Sequence, residues 1–78
     1  MSTSVDDGVA VGVTVDEHAM HVRLTDGRTV SAPLAEFPRL ARATAEERAD
    51  WRLIGSGEGI HWNRIDEDVS VAGLLARH

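Results

Sequence analysis

The 78-residue chain contains no cysteine, no tyrosine and no lysine, so all its basic residues are arginines. The lack of cysteine excludes disulfide bonds, thiolate nucleophiles and thiolate metal ligands, and it fits a reducing compartment. Apolar runs are only a few residues long, whereas a membrane-spanning helix needs about 20 apolar residues. The polar start of the chain lacks the basic and apolar regions of a signal peptide. These absences predict a cytoplasmic protein without a membrane span.

Positive charge is also scarce: the chain has 13 acidic and 8 basic side chains, and its net charge is -5. A negative chain is repelled by a phosphate backbone, so direct binding of nucleic acid is not expected. An acidic surface instead favours encounter with a basic face of another protein. The charge balance therefore points to a protein partner.

The length predicts one domain. A chain this short buries only about 60% of its unfolded surface, so a compact core, helped by a partner, is expected. We assign residues 1–8 to a disordered N-terminal segment and residues 9–78 to the single domain.

Two early segments, residues 9–15 and 20–24, alternate apolar residues with polar or small ones, as strands with one buried face do. A loop of residues 16–19 between them would place three apolar pairs on one face: Val15 with Met20, Val13 with Val22, and Val11 with Leu24. The sequence therefore predicts a β-hairpin.

A third strand follows the loop Thr25-Asp26-Gly27. A two-residue turn would mix apolar and polar partners, whereas a three-residue loop with left-handed Gly27 pairs Val22 with Val30 and Met20 with Ala32. The bulged loop completes a β-meander and directs His21 and Arg23 to its wetter face.

The periodicity changes between residues 33 and 50. Pro33 can open a short helical turn that Pro38 interrupts. Thr44 and Glu47 have the T-x-x-E spacing of a capping box, which predicts a short helix over residues 45–49. We expect this region to cover the sheet.

A second hairpin is predicted by two short apolar segments, residues 51–54 and 59–62, on either side of a glycine-rich turn. The turn lacks the G-x-G-x-x-G and G-K-[ST] patterns of phosphate-binding loops. Trp51 and Trp62 flank it symmetrically, so they are expected as cross-strand neighbours or as core residues. The functional alternative places them at the rim of a partner-binding patch.

The acidic run Asp66-Glu67-Asp68 precedes a short apolar segment for which Ser70 is a plausible N-cap. Negative charges near the start of a helix interact favourably with its dipole, so a role at the helix start is enough to account for the acidic run. The alternative interpretation is a metal or small-ligand site built from His61, Asp66 and Asp68.

Catalytic patterns are not found. The histidines do not have the H-E-x-x-H spacing, and Ser56 lacks the G-x-S-x-G context of a nucleophile. We therefore expect neither an enzyme nor a bound cofactor.

Together the segments predict a small single α+β domain, with an antiparallel β-meander, a second hairpin and two or three short helices. The order of motifs resembles the bacterial family known as domain of unknown function 2442. The motifs that carry the resemblance lie between residues 9 and 75: Thr25-Asp26-Gly27-Arg28, Pro33-Leu34, Phe37-Pro38-Arg39-Leu40, Trp51, Gly59-Ile60-His61-Trp62, Asp66-Glu67-Asp68-Val69-Ser70-Val71 and Leu74-Leu75.

The resemblance implies a small α+β fold and no established catalytic residues. Some longer members continue into a helix-turn-helix module, which this chain does not match, so their DNA-binding role is not carried over. Other members are similar to the small partner in a two-gene, toxin–antitoxin-like arrangement.

We therefore expect a non-catalytic protein-interaction module, antitoxin-like in its pairing with a neighbouring-gene product. The candidate partner surface comprises His61, Trp62, Asp66 and Asp68. The alternative is a small-ligand or metal-binding domain, or a minor enzyme, that uses His61, Asp66 and Asp68. Self-association through an exposed strand would make a homo-oligomer.

Overall fold

The computed structural model describes residues 9–76, and the predicted disordered segment 1–8 lies outside them, as do residues 77–78. The described chain forms two antiparallel three-stranded sheets and three short α-helices, which confirms the α+β class. The elements follow in this order: β1 (Ala10–Val15), β2 (Ala19–Leu24), β3 (Thr29–Pro33), a 3₁₀ turn (Leu34–Glu36), α1 (Pro38–Ala41), α2 (Ala45–Ala49), β4 (Trp51–Ile54), β5 (Gly59–Trp62), β6 (Glu67–Ser70) and α3 (Val71–Ala76).

The first sheet has the order β1-β2-β3 and is the predicted meander. Its second turn is the expected three-residue loop, since the amide of Leu24 bonds the carbonyl of Arg28 and Gly27 has a φ of 93°. The predicted pairs of β2 with β3 are confirmed: Val22 with Val30, and Met20 with Ala32. The inner face of β2 is therefore fully apolar.

The predicted pairing of Val11 with Leu24 is wrong. Val13 and Val15 pair as expected, but a β-bulge between Ala10 and Gly12 shifts the register, so Ala10 pairs with Leu24. Ala10 is buried, whereas the Val11 side chain is 44% exposed. The bulge inserts an extra residue and thereby reverses the alternation that the valines suggest.

The connector between the sheets follows its local signals. Pro33 ends β3 and the 3₁₀ turn follows it, while Pro38 is the first residue of α1, where its missing amide costs nothing. The capping box of α2 is confirmed, because Thr44 Oγ1 accepts from the Glu47 amide and the Glu47 carboxylate accepts from the Thr44 amide. None of the helices within residues 9–76 is long and apolar enough to cross a membrane.

The second sheet, β4-β5-β6, is larger than the predicted hairpin. Residues 67–70 form a third strand paired with β5, so the acidic run is not a helix-capping segment. The N-cap prediction itself is confirmed, because Ser70 Oγ accepts from the Gly73 amide at the start of α3. Glu67 and Asp68 belong to the strand before that helix, and Asp66 to the turn before the strand.

The inner faces of both sheets share one hydrophobic core, and each sheet remains separately hydrogen-bonded. The turn of the second hairpin joins them, because the Ala10 amide donates to the Gly57 carbonyl at 2.8 Å. The Val71 amide donates to the Glu58 carbonyl at 3.0 Å and ties the same turn to α3. The residues buried in this core are Ala10, Met20, Val22, Leu24, Val30, Ala32, Leu34, Leu40, Ile60, Trp62, Val69, Val71 and Leu74.

Candidate functional site

The structure brings two of the predicted site residues, His61 and Asp68, into direct contact. They are opposite each other in the β5–β6 pairing, on the face of the sheet that points away from the core. The His61 Nδ1 atom lies 2.5 Å from an Asp68 carboxylate oxygen. The sequence predicts both residues as site candidates but not their pairing, because its pattern places the acidic run just before a helix and not in a strand.

The contact changes the protonation of His61. The hydrogen bond to Asp68 raises the pKa of the imidazole above its ordinary value of 6.5, and the negative charges of Asp68 and Asp66 act in the same direction. Partial desolvation opposes the shift without cancelling it. Near neutral pH, a larger fraction of His61 is therefore protonated than of an isolated histidine, and the protonated ring forms an ion pair with Asp68.

Asp66 lies beside the pair and is not bonded to it. It occupies the turn before β6 with a left-handed φ of 52°, a conformation that aspartate tolerates better than most residues. Its backbone carbonyl accepts from the Arg39 guanidinium at 2.6 Å, while the side chain is exposed. Asp66 thus contributes negative charge to the surface near His61.

Trp62 is not a surface residue, so its place in the candidate partner surface is wrong. Its side chain is fully buried, with 0% exposure, because Ile60 and Trp62 alternate with His61 and point to the core. The indole N–H donates to the Arg48 carbonyl at 3.0 Å. Trp51 and Trp62 are cross-strand neighbours, as the symmetry of their hairpin allows, and Trp51 is half-buried.

The metal interpretation required three ligands, His61, Asp66 and Asp68. Within residues 9–76, no three histidine, aspartate or glutamate side chains are grouped closely enough to hold a metal ion. His61 and Asp68 could supply two ligands. The remaining coordination would have to come from water or from another molecule.

A shallow apolar groove lies next to the pair, between β6 and α3. Its volume is about 300 Å³, and Asp68 forms part of its wall. The half-buried ring of Phe37 lies on the other side. The remaining lining residues are Val69, Ser70, Gly73 and Leu74.

The glycine-rich turn has the structural role that its sequence suggested. The Glu58 carboxylate accepts from the amide and the hydroxyl of Ser56, at 3.0 and 3.2 Å. These hydrogen bonds lower the pKa of Glu58. The Ser56 amide, which an anion would need, is therefore already bonded to a carboxylate.

A second polar cluster, on the outer face of the first sheet, was missed. The His21 ring lies between Ser31 Oγ, 2.7 Å from Nδ1, and an Asp16 carboxylate oxygen, 2.9 Å from Nε2. Asp16 also accepts from the amides of His18 and Ala19, and the bonds to His21 and these amides hold its pKa well below its usual range. The pairing of His21 with Ser31 was implicit in the predicted register, but its bond to a loop aspartate was not.

The cluster fixes the position of His21. If Nε2 carries the ring hydrogen, it donates a hydrogen bond to the Asp16 carboxylate, and Nδ1 accepts one from the Ser31 hydroxyl. Both ring nitrogens are then used within the molecule. These hydrogen bonds therefore hold the His21 ring in one orientation on the outer face of the sheet.

Comparisons with known proteins agree with the motif order found in the sequence. The family model described as Protein of unknown function (DUF2442) matches residues 10–78. The chain belongs to this family. No curated protein matches it significantly.

A crystal structure of a protein of unknown function from Rhodospirillum rubrum ATCC 11170, at 2.75 Å resolution, is similar to this fold. The TM-score is 0.75 and the sequence identity is 28%, over 88% of this chain and 86% of that one. The two chains therefore share a nearly complete domain.

Proposed function

We propose that this DUF2442 domain is a non-catalytic protein-interaction module. Its contact region is the His61 surface, which we define as His61, Asp66 and Asp68 together with the adjoining groove of about 300 Å³. One observation carries the proposal: Asp68 both bonds His61 and forms part of the wall of the groove. An apolar recess beside charged side chains is the usual arrangement of a protein interface.

The charge of the region suggests the chemistry of the partner. Asp66 and Asp68 are exposed, and the chain as a whole carries a net charge of -5. A basic face with one apolar side chain to enter the groove would complement it. Opposite charges would mainly accelerate association and select the orientation of the partner.

The small protein encoded by a neighbouring gene is the first candidate partner, in an antitoxin-like pair. The resemblance of some family members to such pairs supports this choice, and the absence of cysteine fits cytoplasmic assembly. A partner would also cover apolar surface that so small a domain leaves exposed.

Co-expression with the neighbouring-gene product tests the proposal. We expect the two proteins to co-purify at low salt and less completely at high salt, because exposed charges are screened. Asp68→Arg should abolish co-purification. Glu46→Arg, which makes the same charge change on an exposed site of α2, should preserve it.

Two results would contradict the proposal. One is the absence of any complex at both salt concentrations with a folded domain. The other is an equal loss of binding in both variants, which would indicate a general effect of net charge.

A further inference from the structure

A second, larger groove crosses the outer side of the first sheet, where β1 faces the start of β4. Its volume is about 480 Å³, within the range of small-molecule sites. Unlike the groove of the His61 surface, it contains an arginine and a histidine. We call it the Arg23 groove, and it is lined by Val11, Gly12, Val13, Thr14, His21, Arg23, Thr29 and Trp51.

A glycine in β1 leaves room for the Arg23 side chain. Arg23 is paired with Gly12, and its guanidinium lies above that glycine, with Nη2 only 3.2 Å from the position a β-carbon would occupy. The missing side chain of Gly12 therefore makes the space for the guanidinium. Arg23 forms no ion pair within residues 9–76.

The guanidinium consequently has unused donors. A guanidinium binds carboxylate and phosphate groups through two parallel hydrogen bonds, which gives both strength and orientation. Thr29 is the residue paired with Arg23 on β3; it is exposed, as is Thr14 on β1, and both line the groove. The groove thus offers an anion one bidentate donor and two hydroxyl groups.

His21 forms another wall, and its place is fixed by Asp16 and Ser31. The Asp16 carboxylate accepts hydrogen bonds from the His18 and Ala19 amides as well as from His21. Both Asp16 carboxylate oxygens are therefore engaged within the loop and by His21. Asp16 is absent from the groove lining.

Trp51 supplies an apolar wall. It is half-buried, pairs with Trp62 across β4 and β5, and lines the groove together with the exposed residue Val11. Indole faces are favourable stacking partners for flat ligands. An oxyanion donor and an aromatic wall therefore lie in the same recess.

We infer that the Arg23 groove binds a small organic oxyanion, a carboxylate or phosphate carried on a flat apolar group. The oxyanion accepts hydrogen bonds from the Arg23 guanidinium, and the apolar group lies against Trp51. The groove lies mainly on the first sheet, with Trp51 from β4 of the second, and it includes no residue of the His61 surface. The inference therefore does not depend on the proposed partner.

Titration of ¹⁵N-labelled protein with benzoate and with phenyl phosphate tests the inference and distinguishes the two anions. Dissociation constants on the order of millimolar are expected for ligands of this size. The Thr14 amide, the Arg23 Nε–H and the Trp51 indole N–H should shift together. Benzamide, which has the shape of benzoate without its charge, should bind about tenfold more weakly or worse.

Variants locate the site. Arg23→Gln should weaken the better-bound anion about tenfold or more, whereas Arg42→Gln removes an exposed arginine at the end of α1 and should leave binding unchanged. Gly12→Ala keeps the charge but requires the guanidinium to move by a few tenths of an ångström, so it should weaken binding less than Arg23→Gln does. The dispersed amide spectrum of each variant shows whether it is folded.

Failure of both anions to shift these signals would overturn the inference. Equal weakening by Arg23→Gln and Arg42→Gln would also overturn it, since the binding would then be nonspecific. Either result would leave the partner proposal intact, because that proposal is tested by co-purification and by Asp68→Arg.

Discussion

The indole N–H of Trp62 donates a hydrogen bond to the backbone carbonyl of Arg48 at 3.0 Å. The side chain of the same arginine reaches the end of α1, where it donates to the carbonyls of Leu40 and Ala41, each at 3.0 Å. Arg48 therefore connects α1, α2 and the core of the second sheet. These contacts hold the connector between the sheets in place.

Trp62→Phe should destabilise the domain by about 2 kcal/mol, because it removes the hydrogen bond to Arg48 and leaves unfilled volume in the core. Urea unfolding followed by circular dichroism measures the change. Trp51→Phe is the matched control and should cost less, since that ring is only half-buried. Equal losses would show that the bond to Arg48 contributes nothing measurable.

Gly57→Ala should lower the free energy of unfolding much more than Gly27→Ala. Both glycines have positive φ, 109° and 93°, which costs an alanine about 1–2 kcal/mol. A β-carbon at Gly57 would also lie 2.5 Å from the Ala10 carbonyl oxygen, while none of the described atoms lies within 4 Å of one at Gly27. We expect a loss of about 3 kcal/mol or more for Gly57→Ala. Similar thermal midpoints would contradict the close contact of the two sheets.

Thr44→Ala should cost about 1 kcal/mol, because it removes the hydroxyl that accepts from the Glu47 amide. Thr44→Ser preserves this acceptor and should restore most of the stability. Chemical denaturation of the three proteins provides the comparison. An unchanged midpoint for Thr44→Ala would show that packing alone holds α2.

The bond between His61 and Asp68 should make stability depend on pH. The folded-state pKa of His61 is raised above 6.5, so its contribution is fully present below that pH. The contribution is lost as the pH rises through the folded pKa. NMR titration of His61 should show the raised pKa, and Asp68→Asn should move it toward 6.5.

Unfolding free energies measured on both sides of this transition complete the test. The wild type should lose more stability than Asp68→Asn as the pH rises through the His61 transition. Identical pH profiles would mean that the bond to Asp68 does not favour the protonated ring.

Much of the secondary structure could be predicted because its signals are local. Alternating valines, the three-residue loop at Gly27 and the T-x-x-E capping box each involve neighbouring residues. The cross-strand contact of Trp51 with Trp62 followed from the symmetry of their hairpin. In each case a short segment contained the determining interaction.

The errors arose where distant residues decide the conformation. The valine pattern predicts a buried Val11, but the turn at Gly57 packs against Ala10 and the strand bulges. An aspartate such as Asp68 just before an apolar segment is typical of a helix start, yet pairing with β5 makes Asp68 part of a strand. Local propensity is a weak signal where an adjacent strand supplies the hydrogen bonds.

The family, the α+β class and most of the strands follow from the sequence alone, because hydrophobic periodicity and turn chemistry act over a few residues. Three features depend on how the chain folds as a whole: Trp62 is buried, His61 bonds Asp68, and Arg23 lies above Gly12. These contacts depend on strand register and on which face of each sheet meets the core. A shift of one residue in register would send each of these side chains to the opposite face.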